Sequence, residues 1–179
     1  MEDIAVPTTY EVVGLEVLNM VRDVIKKWHP QLGENGVTLD VMFARGHRDK
    51  YGTTTRPAIT VGGYVAQASI RVNSLKERVR GACDATLLID GDNWKDLTVE
   101  EQECLIDHEL EHLVFVRDKK IGIIKTDDAG RPKLKLKKHD WQFGGFNAVA
   151  NRHKQISSEV QFIAGLGRRA VEQGWLPGF

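Results

Sequence analysis

The segment TVEEQECLIDHELEHLVFV, from Thr98 to Val116, carries the clearest structural pattern in this chain of 179 residues. Thr98 and Glu101 form a capping box, in which the hydroxyl accepts a hydrogen bond from a first-turn N–H and the carboxylate reaches back. Apolar residues follow at helical spacing. The pattern predicts a largely buried helix that begins after Thr98 and continues to about Val116.

This predicted helix contains the sequence HELEH, from His108 to His112. Residues four apart lie one above the other on a helix, so both imidazoles can reach one tetrahedral Zn²⁺ ion at about 2.0–2.1 Å. The carboxylate of Glu109 lies between them in height and can take a proton from a water at an open coordination position. We therefore expect a zinc-dependent hydrolase, in the first place a peptidase, with His108 and His112 as metal ligands and Glu109 as catalytic base.

A hydrolytic zinc site normally has a third protein ligand and keeps one position for water. Asp118 stands where the longer HExxHxxGxxH pattern has its last ligand, but Phe115 replaces the glycine of that pattern. Glu159, on a downstream helix, would complete a thermolysin-like site. His139 is favoured, because it lies between a strand and the last helix, and Asp140 or another carboxylate could orient an imidazole. All three candidates remain open at this point.

The remaining elements are predicted from apolar periodicity and turn residues. Before the motif, the predicted elements are a helix from Tyr10 to Trp28, a strand from Val37 to Ala44, a strand pair or bulged strand from Pro57 to Asn73, a short helix capped by Ser74, and a strand from Asp84 to Asp90. After it, they are a hairpin of Ile121–Lys125 with Lys133–Lys137 and a long helix from about Phe146 to Gln173. We predict one α+β domain over residues 1–179, with helices packed on a small mixed or antiparallel sheet.

Composition excludes several classes of protein. Lys plus Arg and Asp plus Glu are both 25, so the chain has no net charge that would attract it to nucleic acid or an anionic membrane. Cys83 and Cys104 are too few for a disulfide framework or a four-cysteine zinc module. No apolar run is long enough to span a membrane, and the acidic first residues do not resemble a signal peptide. We expect a cytoplasmic protein without membrane contact.

Two motifs resemble those of the phage metallopeptidase family. They are HELEHL, from His108 to Leu113, and KLKLKKHDWQF, from Lys133 to Phe143, and the resemblance extends over most of the chain, from about Tyr10 to Gly165. It implies a zincin-like peptidase fold, His139 as third zinc ligand, Glu109 as base, and synthesis in the cytoplasm of a bacterial host. The family is more distantly similar to SprT and Spartan-type proteases. Those enzymes usually have a shorter gap before the third histidine and continue HGxxF, so their DNA-linked substrates are not carried over.

Lysines alternate with leucines from Lys133 to Lys137, and further basic residues precede them from Lys119 onward. The first interpretation is a solvated strand edge that lysines protect against strand addition. The second is a basic rim that binds an acidic substrate or nucleic acid. The expected partner is a peptide or protein substrate, which can add to the strand Asp84–Asp90. The alternative function is a zincin-fold binding or regulatory module that holds zinc and contacts a host protein or nucleic acid without hydrolysis.

Overall fold

The computed structural model describes residues 7–139 and 145–172, except the side chains of 169–172. These residues form a mixed α+β arrangement of small sheets and several helices. They divide into two compact units, one up to Lys137 and one from Lys138 onward. The single domain over residues 1–179 stays a prediction. Among the described helices, none has the length and apolar character needed to cross a membrane.

The first unit contains a four-stranded sheet, which makes up its centre. Its strands are β1 (Thr9–Val12), β2 (Leu39–Arg45), β7 (Ala68–Val72) and β8 (Ala85–Asp90). They lie in the order β1-β2-β8-β7. β2 and β8 are parallel, whereas β1 and β7 are antiparallel to their neighbours, so the sheet is mixed.

Six shorter strands form three two-stranded ladders in the same unit, β3 with β4, β5 with β6 and β9 with β10. Their bounds are β3 (His47–Arg48), β4 (Thr54–Arg56), β5 (Thr60–Val61), β6 (Tyr64–Val65), β9 (Leu113–Phe115) and β10 (Leu134–Leu136). The helices are α1 (Leu15–Trp28), α2 (Pro30–Glu34), α3 (Leu75–Val79) and α4 (Val99–Glu111), with a 3-10 turn at Trp94–Asp96 before α4.

The hydrophobic core of this unit includes residues of α1, the sheet and α4. Val17, Val21 and Val24 recur at three- and four-residue spacing, and this stripe of α1 is buried. The core cluster also contains Ile106 and Leu110 of α4, both at most 1% exposed, together with apolar residues of β2 and β8. Each such aliphatic side chain contributes about 1.5–3 kcal/mol on burial. The core therefore fixes which face of α4 points away from the sheet.

Local signals predicted both helix caps correctly. The hydroxyl of Thr98 accepts a hydrogen bond from the N–H of Glu101, whose carboxylate accepts from the N–H of Thr98 at 2.8 Å. Ser74 and Glu77 form the same box at the start of α3. These carboxylate bonds and the charge of Arg71 lower the pKa of Glu77 to about 2.

The predicted helix from Tyr10 to Trp28 is wrong over its first turn. Thr9–Val12 instead forms β1, which pairs with β2, and α1 begins only at Leu15. Gly14 precedes the helix in an extended conformation. Apolar spacing did not separate this short edge strand from the helix that follows, because pairing with β2 is a tertiary effect.

The predicted extension of the motif helix to Val116 is also wrong. α4 ends at Glu111 with His112 as its C-cap, and Leu113–Phe115 forms β9. β9 pairs with β10, so Leu134–Leu136 pairs with Leu113–Phe115 and not with Ile121–Lys125. The predicted hairpin is confirmed only next to its turn, where Thr126 pairs with Pro132 and the N–H of Lys133 donates to the carbonyl of Lys125. The β-branched and aromatic residues after the motif fit a strand, and the ladder satisfies their backbone groups.

The strand before α4 does not lie at a sheet edge. β8 pairs with β2 on one side and with β7 on the other, so it has no side open for a substrate strand. Our interpretation of Asp84–Asp90 as a substrate-binding edge is therefore wrong. In the described sheet the last strand on this side is β7.

The second unit contains two helices where one was predicted. They are α5 (Asn147–His153) and α6 (Ser158–Glu172), and a 3-10 turn at Lys154–Ile156 separates them. Lys154 has φ of 51°, which a helix cannot continue through. Ser157 then accepts a hydrogen bond from the N–H of Val160 and caps α6. The predicted end at Gln173 lies outside the described residues.

Candidate metal centre

The helix α4 brings the two histidines of the motif together near its C-terminus. The rings of His108 and His112 have their centroids 5.5 Å apart and their planes at 74°. Both side chains are half-buried. This arrangement follows from the four-residue spacing, because the apolar side of α4 is turned toward the core and leaves these residues on another face.

His112 is held by its main chain and by its ring. Its carbonyl oxygen accepts a hydrogen bond of 2.7 Å from the N–H of Lys137. Its Nδ1 atom lies 2.7 Å from the carbonyl oxygen of the same lysine. A carbonyl can only accept, so Nδ1 carries the proton and donates it, and Nε2 is then the unprotonated ring nitrogen that can act as a metal ligand.

The strand β10 leads directly to the third candidate ligand, because His139 follows Lys137 by two residues. His108, His112 and His139 each offer a ring nitrogen, and these ligand atoms all lie within 4.8 Å of one another. The ring of His139 is exposed, and its centroid lies 4.9 Å from that of Phe146. Three imidazole donors suit Zn²⁺ as well as copper, nickel or iron, so the donor set fits a transition metal without identifying it.

Glu109 lies beside the histidines with a largely buried side chain, 7% exposed. Burial raises the pKa of its carboxyl group to about 7, against the lowering effects of His108 and of a hydrogen bond from the backbone N–H of Ile70. A divalent cation nearby would favour the carboxylate and lower this pKa. The group thus has an affinity for protons in the range that a general base needs near neutral pH.

A buried pair joins α4 to the end of α1. Nε2 of His29 lies 2.7 Å from Oδ1 of Asp107, and the two side chains are 3% and 0% exposed. Asp107 directly precedes His108, so the contact fixes α4 next to the motif. The pair is not predictable from local sequence, because 78 residues separate its members. An aspartate among the apolar residues of a helix expected to be buried indicates that a polar partner is needed, but the sequence does not show which residue it is.

The two carboxylates considered as alternative third ligands do not belong to the group of close donor atoms. Asp118 accepts hydrogen bonds from the N–H groups of Lys120 and Ile121 in a turn, and its other oxygen lies 3.4 Å from Nζ of Lys125. Glu159 is a buried residue of α6. Asp140, considered as an orienting carboxylate, lies outside the described residues.

Comparison with known families gave a match over most of the chain. The family model described as "Putative phage metallopeptidase" matches residues 11–166. The chain belongs to this family. The match includes the HELEH motif, β10 and most of α6, and the family description indicates a metal-dependent hydrolase. No curated protein and no solved structure gave a significant match.

Proposed function

We propose that this family member is a zinc metallopeptidase that hydrolyses a peptide bond of a protein or peptide, on a zincin-like fold. The observation that carries the proposal is the set of three imidazole donors within 4.8 Å of one another, beside the buried carboxylate of Glu109. His108, His112 and His139 would hold the ion. Bound zinc would polarise the scissile carbonyl and make water more acidic.

Glu109 has two tasks in this proposal. Its carboxylate takes a proton from the attacking water, and the acid that results gives a proton to the leaving amine. The backbone N–H of Ile70 bonds to the carboxylate and so holds it in one orientation. His112 keeps one ring nitrogen for the metal because the other donates to Lys137.

An extended substrate would lie along β7. β7 is the last strand on its side of the described four-stranded sheet, and its residue Ile70 contacts Glu109 through the backbone. Main-chain hydrogen bonds to a sheet edge hold a peptide extended with little dependence on its side chains. The scissile bond would then pass close to the base. The phage description of the family is consistent with action in the cytoplasm of a bacterial host.

The test is the change Glu109→Gln, which keeps the shape of the side chain but removes the base. We expect the variant to retain about one zinc per chain while hydrolysis falls by about 10² or more. The measurement compares zinc content and proteome-wide cleavage products of wild-type and variant protein in the same lysate.

The matched control is Glu103→Gln on the same helix. Glu103 lies on the surface of α4, where its carboxylate is 4.0 Å from Nζ of Lys27, so its loss should leave both zinc and hydrolysis unchanged. The rival function, a zinc-holding regulatory module, predicts the same cleavage pattern for wild type and Glu109→Gln. That result at equal zinc content would disprove the peptidase.

A further inference from the structure

The segment between α4 and His139 concentrates positive charge. We call residues Leu113–Lys138 the basic hairpin. It contains nine lysines and arginines and three aspartates, a net charge of +6. The whole chain has 25 residues of each sign, so the rest carries 16 basic and 22 acidic residues, a net charge of −6. The neutral total therefore conceals a strong separation of charge.

The basic hairpin is a well-bonded structure. Beyond the β9–β10 ladder, three main-chain hydrogen bonds of 2.8 Å continue the pairing. The N–H of Val116 donates to the carbonyl of Lys133, the N–H of Lys125 donates to the carbonyl of Val116, and the N–H of Lys133 donates to the carbonyl of Lys125. The carboxylate of Asp127 lies 2.6 Å from the guanidinium of Arg78, which belongs to α3. Arg131 contacts Asp84 at 3.2 Å. The backbone positions of the charged residues are therefore fixed before any ligand arrives, which reduces the entropy lost on binding.

Six lysines of the basic hairpin are exposed, namely Lys125 and a group of five: Lys119, Lys120, Lys133, Lys135 and Lys138. No carboxylate of the described residues lies within 4.0 Å of the Nζ atoms of this group of five, whereas Lys125 and Lys137 pair with Asp118 and Glu111. Protection of a strand edge can explain Lys133 and Lys135, which flank or lie in β10. It does not explain Lys119 and Lys120, which lie in a turn. An array of available charge thus extends from the turn to the end of β10.

We propose that the basic hairpin binds the phosphate backbone of duplex nucleic acid without reading its sequence. Lysine is a compact point charge that contacts phosphate with little demand on geometry. Lys133 and Lys135 are two residues apart along an extended chain, so their positions repeat at about 6.6 Å. A repeated array suits a polyanion better than a single acidic side chain. This proposal does not depend on the hydrolytic function.

Two observations bear on the choice between a duplex, a single strand and a membrane surface. The one aromatic residue of the basic hairpin is Phe115, which is half-buried, so no platform for stacking unpaired bases is exposed there. Ile121 and Ile123 are 70% and 63% exposed beside Lys119 and Lys120. Two isoleucines add less apolar area than a single fatty acyl chain, which by itself gives only marginal membrane binding. Contacts to a regular phosphate backbone remain the best match for the charge.

The test measures binding of the zinc-loaded full chain to a fluorescent 20-base-pair duplex of arbitrary sequence by anisotropy at several salt concentrations. With five phosphates neutralised, the slope of log Kobs against log salt should be about −4.5. The triple change Lys119→Gln, Lys120→Gln and Lys135→Gln should reduce the steepness by about 2.7. The corresponding triple change to arginine keeps the charge and should bind like wild type.

The control is Lys26→Gln with Lys76→Gln and Lys95→Gln, which removes the same charge from exposed sites outside the basic hairpin and should leave the slope unchanged. If both triple glutamine variants bound the duplex more weakly than wild type by the same factor, the proposal would be overturned, because net charge alone would then determine the affinity. Absence of salt-dependent binding would overturn it too. So would binding to phosphatidylserine vesicles without duplex binding, or tighter binding of a single strand than of the duplex. Exposed lysine changes seldom alter stability by more than about 0.5 kcal/mol, and thermal unfolding checks this.

Discussion

Lys137 is the residue through which the two halves of the proposed metal centre are connected. Its N–H and carbonyl both bond to His112, one to the main chain and one to the ring. His139 is only two residues further on. Any shift of β10 along β9 would therefore disturb the ring of His112 and the position of His139 together. Ligand geometry at this site depends on the pairing register of one short ladder.

At this scale we predict that His139→Ala weakens zinc binding strongly. A structural zinc site contributes about 10–16 kcal/mol over four ligands, so loss of one ligand should raise the zinc Kd by about 10² or more. Competition with a chromophoric chelator measures this Kd.

Two variants serve as controls for His139→Ala. Asp118→Ala removes a carboxylate that supports a turn, and His47→Ala removes a histidine whose ring contacts Thr55 in the β3–β4 ladder. Both should leave the zinc Kd nearly unchanged. A larger effect from Glu159→Ala than from His139→Ala would instead indicate a thermolysin-like site.

Sequence alone was sufficient to predict the proximity of residues that are linked by local spacing, although their roles stay predictions. His108, Glu109 and His112 form a motif over one helical turn, and their proximity needs no tertiary information. His139 was harder, because a fold must bring it to the motif over 27 positions, and its role as ligand stays a prediction. The pair of His29 and Asp107 carries no sequence pattern, so only the three-dimensional packing of α1 on α4 revealed it.

The elements around the basic hairpin are joined by a group of four charges, three of them buried and the fourth, Arg131, half-buried. Asp84 is fully buried and lies 3.2 Å from Arg131 and 3.7 Å from Arg78, and Arg78 also contacts Asp127. Asp84 accepts two further hydrogen bonds from Thr38. The group thus connects the start of β8 with α3 and with the turn at Asp127. Two cations and two anions balance, which is the condition for burying them.

At the scale of elements we predict that Asp84→Asn destabilises the fold by about 3 kcal/mol. The amide has the same shape but leaves two guanidinium groups, the buried one of Arg78 and the half-buried one of Arg131, with one carboxylate. For a domain of this size the midpoint of thermal unfolding should fall by about 6–12 °C. Asp128→Asn is the control, because its exposed side chain lies in the same turn as Asp127. Equal midpoints for the two variants would show that the group of four charges contributes nothing.

Helices and strands were predicted correctly where the signal lay within a few residues. They were predicted wrongly where pairing with a distant segment determined the conformation. The capping boxes at Ser74 and Thr98 predicted two helix starts. β9 was assigned to the preceding helix, because a run such as LVF fits either element until its partner is known. The break at Lys154 has no proline or glycine to mark it, and it rests on an unusual backbone conformation.

At the scale of the whole molecule, the α+β class was predictable and the strand order was not. Helical and alternating segments can be counted from the sequence, whereas β2 and β8 pair although about 46 positions separate them. For charge, the total over the chain was misleading and the local distribution was informative. Zero net charge argued against nucleic acid, yet nine of the 25 basic residues lie within residues 113–138, a segment that the fold forms into one hairpin. A sum over a chain does not show how its charge is distributed.

The pairing of β9 with β10 also makes residues 117–132, the part of the basic hairpin beyond the ladder, a replaceable segment. Leu113 lies opposite Leu136 and Phe115 opposite Leu134, so the chain leaves the ladder and returns to it at adjacent positions. Insertions or deletions in the segment beyond the end of this ladder would not move His112 or His139.

Grafting tests this modularity. Replacing residues 117–132 by Asn-Gly would join Val116 to Lys133 through a two-residue type I′ turn. The graft also removes Asp127 and Arg131, one charge of each sign, and leaves Arg78 and Asp84 as a balanced pair. We expect the shortened protein to keep the zinc Kd of wild type and to lose most of its affinity for duplex. The chelator assay measures the first quantity and the anisotropy assay the second. Loss of zinc binding in a graft that still folds would show that the excised segment belongs to the metal centre after all.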